Sequence, residues 1–198
     1  MVQLIQVFAL VTGIIYMVLQ IFQNKWMWYF DLFTASAACC VALINRTPEG
    51  VWAPLWAQVL QNAYFFTMAV IGIYTWRRYS MKTAYGRLHI VRLTLKEALI
   101  AVAVILAGIP LAYRLLLLTN DMFPFLDGAS MVLSLIAAWF LTKSHLEQWF
   151  MWIAADILII ILYSQLHAWW MVALYGCYIA SSIVGIIHWR RNGDYIRA

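Results

Sequence analysis

Residues 72–78 read GIYTWRR and residues 185–191 read GIIHWRR, identical at five of seven positions and 113 residues apart. The same offset carries Trp56 to Trp169, each 20 residues before the tryptophan that closes its segment. An apolar run of about 20 residues ending in Trp-Arg-Arg has the form of a membrane-crossing helix, with the indole at headgroup level and the cations in water. Two copies of one such ending belong on the same face of the membrane, so an even number of crossings separates them.

Working outward from these endings, runs of about 20 apolar residues bounded by charges or turn residues predict seven spans, at about 2–22, 26–44, 51–76, 97–118, 123–142, 146–163 and 168–189. Four spans follow the first Trp-Arg-Arg, as the parity requires. The expected fold is an all-α integral membrane protein of seven transmembrane helices in a 3+1+3 parallel repeat about an axis along the membrane normal. Residues 1–78 form the first three-helix repeat, 79–118 a cytoplasmic loop and linker helix, and 119–198 the second repeat with a cytoplasmic tail. Pro54 and Pro124 fall in the first turns of their spans, and Pro110 is expected to kink the fourth.

Composition agrees. The 198 residues are 66% hydrophobic and only 11% charged, whereas a soluble domain carries about 25% charged residues to cover its surface. No large soluble domain fits beside seven helices, which excludes most enzyme folds. Eleven of the thirteen Lys and Arg fall on one side of the predicted spans, so that side is cytoplasmic, with the N-terminus outside and the C-terminus inside. The net charge of +5 therefore reflects topology, and no nucleic-acid partner is expected. Cys39, Cys40 and Cys177 lie in apolar runs without metal spacing, so neither a disulfide framework nor a metal or cofactor is expected. The first run lacks a basic n-region and is expected to remain as a helix.

The informative residues are the few polar groups at membrane depth. A charge in mid-span costs roughly 2.5–3.5 kcal/mol on insertion scales and normally faces a cavity or a partner; Asp31 and Asp156 are the candidates. Glu97 and Glu147 sit near helix ends, where headgroup-level water accounts for them. In the third span Gln58, Gln61, Asn62 and Phe65 share one helix face, either as glue between helices or as a wet, substrate-facing stripe. In the sixth, Trp149, Trp152 and Asp156 share a face, and indoles beside a carboxylate suit a flat cation. An interfacial belt is the alternative for the tryptophans, more apt for Trp149 than for Trp152. Tyr175, Tyr178 and Ser182 line the seventh span, with Tyr175 matching Asn62 and Tyr178 matching Phe65 at the offset of 113. Trp28 and Asp31 share a face of the second. A substrate site between the two halves is the resulting expectation.

The stretch Phe123-Pro124-Phe125-Leu126-Asp127, followed by MVLSLIAAWFLTKSHLEQWFMWIAADI and a tyrosine-bearing last span, resembles the PnuC family of vitamin-precursor transporters. The likeness runs over residues 122–191, with FPFxD and ExWxxW as its sharpest parts, and more loosely over the third span. The resemblance implies a SWEET-like arrangement, often homotrimeric, in a bacterial inner membrane. It implies uptake of nicotinamide riboside by facilitated diffusion, with trapping by a cytosolic kinase, and a substrate held by Asn62, Trp149, Trp152, Asp156 and Tyr175. Thiamine, another flat cation carried in this family, is the alternative. The connection between the fourth and fifth spans is shorter than in longer members, and Leu126 stands where some members have Trp.

Two other classes compete. An embedded enzyme needs a nucleophile–base pair or a metal cluster, but the four histidines lie apart near span ends. A non-transporting membrane scaffold subunit would use the amide stripes as glue. No G-x-x-x-x-G-K-[ST] loop occurs, so the protein is not expected to hydrolyse a nucleotide.

Overall fold

The computed structural model describes residues 2–44, 56–78, 88–118 and 122–196. Among them run seven helices: α1 (Val2–Ile21), α2 (Met27–Leu43), α3 (Trp56–Arg78), α4 (Leu95–Leu118), α5 (Pro124–Thr142), α6 (Gln148–Gln165) and α7 (Trp169–Asn192). Two short strands, β1 (Leu88–Val91) and β2 (Gly193–Ile196), add to the all-helical expectation. The start of the third span, with Pro54, lies outside the described residues. Helix α4 runs unbroken through Pro110.

By length and hydropathy, α4, α5, α6 and residues Met171–Asn192 of α7 can each cross a membrane, and Val7–Ile21 and α2 are shorter apolar helices. Helix α3 is long enough at 23 residues. Its mean hydropathy is lowered by Gln61 and Asn62, two of the residues read as a polar stripe.

The chain divides into two compact units, Met1–Met81 and Lys82–Ala198. In the first, α2 packs against both α1 and α3. The Thr34 hydroxyl lies 2.9 Å from that of Thr12, a hydrogen bond between α1 and α2, and each hydroxyl also reaches the carbonyl one turn earlier in its own helix. In lipid such bonds and close small-residue packing replace the hydrophobic drive between helices. In the second unit α5 is the buried centre, packed against α4 and α6, while α7 lies on α6. Ala101 and Ala112 of α4 meet Val132, Ile136 and Phe140 of α5. A Cβ at Gly128 would stand 3.1 Å from the Ala112 methyl, so glycine sets how closely those helices approach.

Three helix–helix connections use one turn. At Gln23 the chain turns left-handed (φ 49°); the Gln23 N–H donates to the Gln20 carbonyl, Asn24 to Leu19 and Met27 to Asn24. At Ser144 (φ 58°) the bonds are Ser144 to Leu141, His145 to Phe140 and Gln148 to His145, and at His167 (φ 55°) they are His167 to Ser164, Ala168 to Tyr163 and Met171 to Ala168. This Schellman pairing satisfies the last carbonyls of the preceding helix. Glycine usually fills the left-handed position; here Gln, Ser and His do.

The GIYTWRR and GIIHWRR segments are likewise built alike. In the first unit Trp28 of α2 lies on Gly72 of α3 and meets Trp76 edge-on, ring centroids 5.4 Å apart at 88°. In the second, Trp149 of α6 lies on Gly185 of α7 and meets Trp189 at 5.7 Å and 87°. All four indoles are buried, from 0% to 4% exposed. Gly and Trp four residues apart share one helix face, and the glycine opens a seat that the preceding helix fills with its own indole, so the belt offered as an alternative for Trp149 does not describe its buried ring. A Cβ at either glycine would overlap the seated ring.

Strands β1 and β2 pair in parallel, Leu88 with Gly193 through Val91 with Ile196. The Val91 N–H donates to the Ser144 carbonyl at 3.2 Å, and His145 Nδ1 lies 2.9 Å from the Val91 carbonyl. Beyond the strand, Thr94 and Glu97 form a capping box at the start of α4. The Thr94 N–H and hydroxyl donate to Glu97 Oε2 at 3.0 and 2.6 Å, and the Glu97 N–H donates to the Thr94 hydroxyl at 3.3 Å. Lys143 Nζ donates to Glu97 Oε1 at 2.6 Å. Glu97 therefore does more than sit in headgroup-level water: it ties α4 to the α5–α6 turn, a partner hydropathy does not disclose.

The glycine seats make a prediction for thermal unfolding of purified protein in detergent. Gly185→Ala and Gly72→Ala are expected to destabilise by about 1–3 kcal/mol through overpacking. Gly176→Ala, in the same helix as Gly185 with open space at its Cβ, is expected to be neutral or stabilising by up to about 1 kcal/mol.

Candidate functional site

The same stripe of α7 that carries Gly185 and Trp189 continues toward its N-terminus as Ser182, Tyr178 and Tyr175, at helical steps of 3 and 4. It therefore faces α6. Tyr175 stacks on Tyr163 of α6, centroids 5.8 Å apart at 24°, and meets Tyr178 edge-on at 5.4 Å and 80°. On α6, Asp156 lies one heptad before Tyr163 and one turn after Trp152. Its side chain is buried, 6% exposed, and it interacts electrostatically with both Tyr175 and Tyr178. Trp152 donates its indole N–H to Gln148 Oε1 at 3.3 Å one turn back, which orients the ring.

Asp127, in the first turn of α5, interacts electrostatically with Tyr163 and Tyr175. The second unit thus gathers three tyrosines and two carboxylates from three helices. No Lys or Arg occurs in α5 or α6, and those of α7 are Arg190 and Arg191 in its last turn. Aromatic faces with an excess of acceptor charge attract a flat cation and repel an anion. Among the described residues no group of His, Cys, Asp and Glu is arranged to hold a metal ion.

In the first unit the corresponding stripe of α3 is Asn62, Phe65, Ala69, Gly72 and Trp76. The Asn62 side-chain amide donates to the Gln58 carbonyl at 2.8 Å within its own helix. Gln58 is exposed and Gln61, Asn62 and Phe65 are half-buried, with Phe65 edge-on to Tyr64 at 6.2 Å. Asp31 of α2 interacts electrostatically with Tyr16 of α1.

Of the residues named from the sequence, Asp156, Tyr175 and Tyr178 lie together here, and Trp152 is one turn before Asp156 on α6. Ser182 is buried at 4% exposure on the same stripe. Trp28 and Trp149 are buried with their rings in the glycine seats, where they pack helices. Helical angle identifies a shared face but not what the next helix brings to it. Tyr163 and Tyr16 were missed. A heptad step forward from Asp156 reaches Tyr163; Tyr16 gives no such signal.

A family model described as "Nicotinamide mononucleotide transporter" matches residues 3–191. Among curated relatives, the "Nicotinamide riboside transporter PnuC" of Neisseria mucosa is 25% identical over 195 residues, covering 92% of this chain and 70% of that protein. The protein of the same name from Escherichia coli is 27% identical over 150 residues, 62% of each. The chain thus spans 70% and 62% of the lengths of these two relatives. Among solved structures, the crystal structure of the Vitamin B3 transporter PnuC matches with a TM-score of 0.69 at 23% identity, covering 93% of this chain and 79% of that one, and shares its fold.

The buried Trp149 and the half-buried Trp152 are expected to respond differently to truncation. Trp149→Ala empties a filled seat and is expected to cost about 3–5 kcal/mol of stability in detergent. Trp152→Ala, at a half-buried ring, is expected to leave the unfolding temperature within a few degrees of wild type while lowering substrate binding at least about tenfold.

Proposed function

This chain belongs to the nicotinamide mononucleotide transporter family and is a multi-pass membrane transporter rather than an enzyme, and from that premise we propose that its substrate is nicotinamide riboside. The observation that carries the choice is the buried Asp156 beside Tyr175 and Tyr178, one turn after Trp152, with no Lys or Arg in α5 or α6 and those of α7 confined to its last turn. The nicotinamide ring of the riboside is a flat cation, suited to aromatic faces and a carboxylate. The mononucleotide adds a phosphate of about −1.5 to −2 charge at neutral pH, which the same carboxylates repel. Riboside is thus favoured over mononucleotide on charge alone, in keeping with the names of the relatives.

Tyr163 joins the sequence-derived residues as a wall of this site, with Ser182 a further candidate there; within the first unit Asp31, Gln58, Gln61, Asn62 and Phe65 stay candidate substrate contacts in their own right. The recurrence of one turn and one Trp-on-Gly seat in each unit supports a three-plus-one-plus-three design with α4 as the added helix. The basic side faces the cytoplasm of a bacterial inner membrane, with the C-terminus inside and the N-terminus outside. Transport runs downhill, with a cytosolic kinase trapping the product, in a homotrimeric assembly; these points rest on the resemblance to the family. The scaffold reading is set aside by membership of a transporter family.

Uptake of radiolabelled nicotinamide riboside by cells lacking their own transporter but keeping the kinase tests this. Asp156→Asn and Tyr175→Ala are each expected to lower uptake at least about tenfold, a loss of about 1.4 kcal/mol or more in binding, with membrane levels of protein unchanged. Excess nicotinamide mononucleotide is expected not to compete. Competition by thiamine at equal concentration would transfer the assignment to thiamine, and unchanged uptake in both variants would end the case for a cation site at Asp156.

A further inference from the structure

At the Trp-Arg-Arg end of α3, the first unit holds a small cavity of about 100 Å³ lined by Lys25, Trp26, Tyr29, Ile73, Trp76 and Arg77. We infer that this cavity is a phosphate-binding site, fitted to the headgroup phosphate of an anionic lipid and distinct from the aromatic and carboxylate cluster of the second unit.

Its construction follows from three elements. The α1–α2 turn, fixed by left-handed Gln23, presents Lys25 and Trp26 side by side, and the Trp26 N–H is held by the Asn24 side-chain oxygen at 3.0 Å. Tyr29, one turn into α2, tilts against Trp26 with centroids 5.2 Å apart. Arg77 arrives from the last turn of α3, donates to the Tyr29 hydroxyl and lies over the Tyr29 ring at 5.7 Å. Those contacts fix the guanidinium while using one of its five N–H donors. The buried Trp76 indole, already seated against Trp28, supplies the floor.

Among the described residues no carboxylate lines the cavity, so Lys25 and Arg77 face one small space without an opposing charge from those walls. Phosphate answers that arrangement, because guanidinium and ammonium donors match its oxygens. The volume is sufficient for a phosphate group. Trp26 is 55% exposed at the end of the unit where the membrane surface is expected, and an indole there suits the glycerol and upper acyl region. Basic pockets between helices at this level are the usual seats of anionic headgroups.

Native mass spectrometry of the full-length protein, incubated separately with phosphatidylglycerol, phosphatidylcholine or inorganic phosphate, tests the site. One phosphatidylglycerol is expected to be retained per chain, at least about fivefold over phosphatidylcholine. Lys25→Gln combined with Arg77→Met is expected to abolish the preference, and Arg77→Lys to keep most of it. Retention of inorganic phosphate with no lipid preference, lost in the double variant, would assign the same site to a soluble anion. Equal retention of both lipids with no phosphate bound, or a preference that survives the double variant, overturns the proposal. Should the double variant fail to fold, brominated phosphatidylglycerol supplies the second measurement: it is expected to quench wild-type tryptophan fluorescence more than brominated phosphatidylcholine does, with the excess lost in Trp26→Phe. An excess undiminished in Trp26→Phe overturns the site equally.

Discussion

An indole laid on a glycine, one turn before a second indole, is the contact on which each three-helix unit depends. In lipid, apolar side chains gain nothing by leaving one apolar surface for another, so helices associate through close fit. Gly72 and Gly185 create that fit by having no Cβ, and Trp28 and Trp149 fill it with the largest side chain available. The edge-on partners Trp76 and Trp189 close the ring pair in the geometry that the quadrupoles of aromatic rings favour. One end of each unit is thereby fixed.

The consequences run along the same stripes. Moving away from the seat, α7 changes from Trp189 and Gly185 to Ser182, Tyr178 and Tyr175, and α3 from Trp76 and Gly72 to Ala69, Phe65 and Asn62. Close packing at one end gives way to polar and aromatic groups at the other, so each stripe carries both the structural contact and the candidate ligand contact. On α6 the same division separates Trp149, committed to packing, from Trp152 and Asp156 one and two turns further on. A neutral stripe would hold helices together equally well; the buried carboxylate is what points to a ligand with positive charge.

The turns and the small sheet show how much of this architecture hydropathy could convey. Runs of about 20 apolar residues located the helices, and Trp-Arg-Arg marked where two of them end. The left-handed turns at Gln23, Ser144 and His167 carry no glycine, so the usual mark of a helix stop was missing. Strands β1 and β2 lie 105 residues apart in register, Leu88 against Gly193, a pairing that no local pattern encodes. Likewise the capping box of Thr94 and Glu97 is legible from its spacing, whereas the Lys143 that completes it comes from the distant α5–α6 turn.

The sequence by itself determined that this chain is a helical membrane protein, and its FPFxD and ExWxxW motifs pointed to its family, because hydropathy and motif spacing are properties of residue order. It also set which residues share a helix face, since the helical period is fixed at about 3.6 residues per turn. What lies opposite a face is a matter of neighbouring helices, and there only the tertiary structure decided. It put Trp28 and Trp149 against glycine, stacked Tyr163 on Tyr175, brought Asp127 within range of both, and set Lys25 and Arg77 around one cavity. Each of these depends on contacts between segments distant in sequence, and those contacts follow from packing rather than from period.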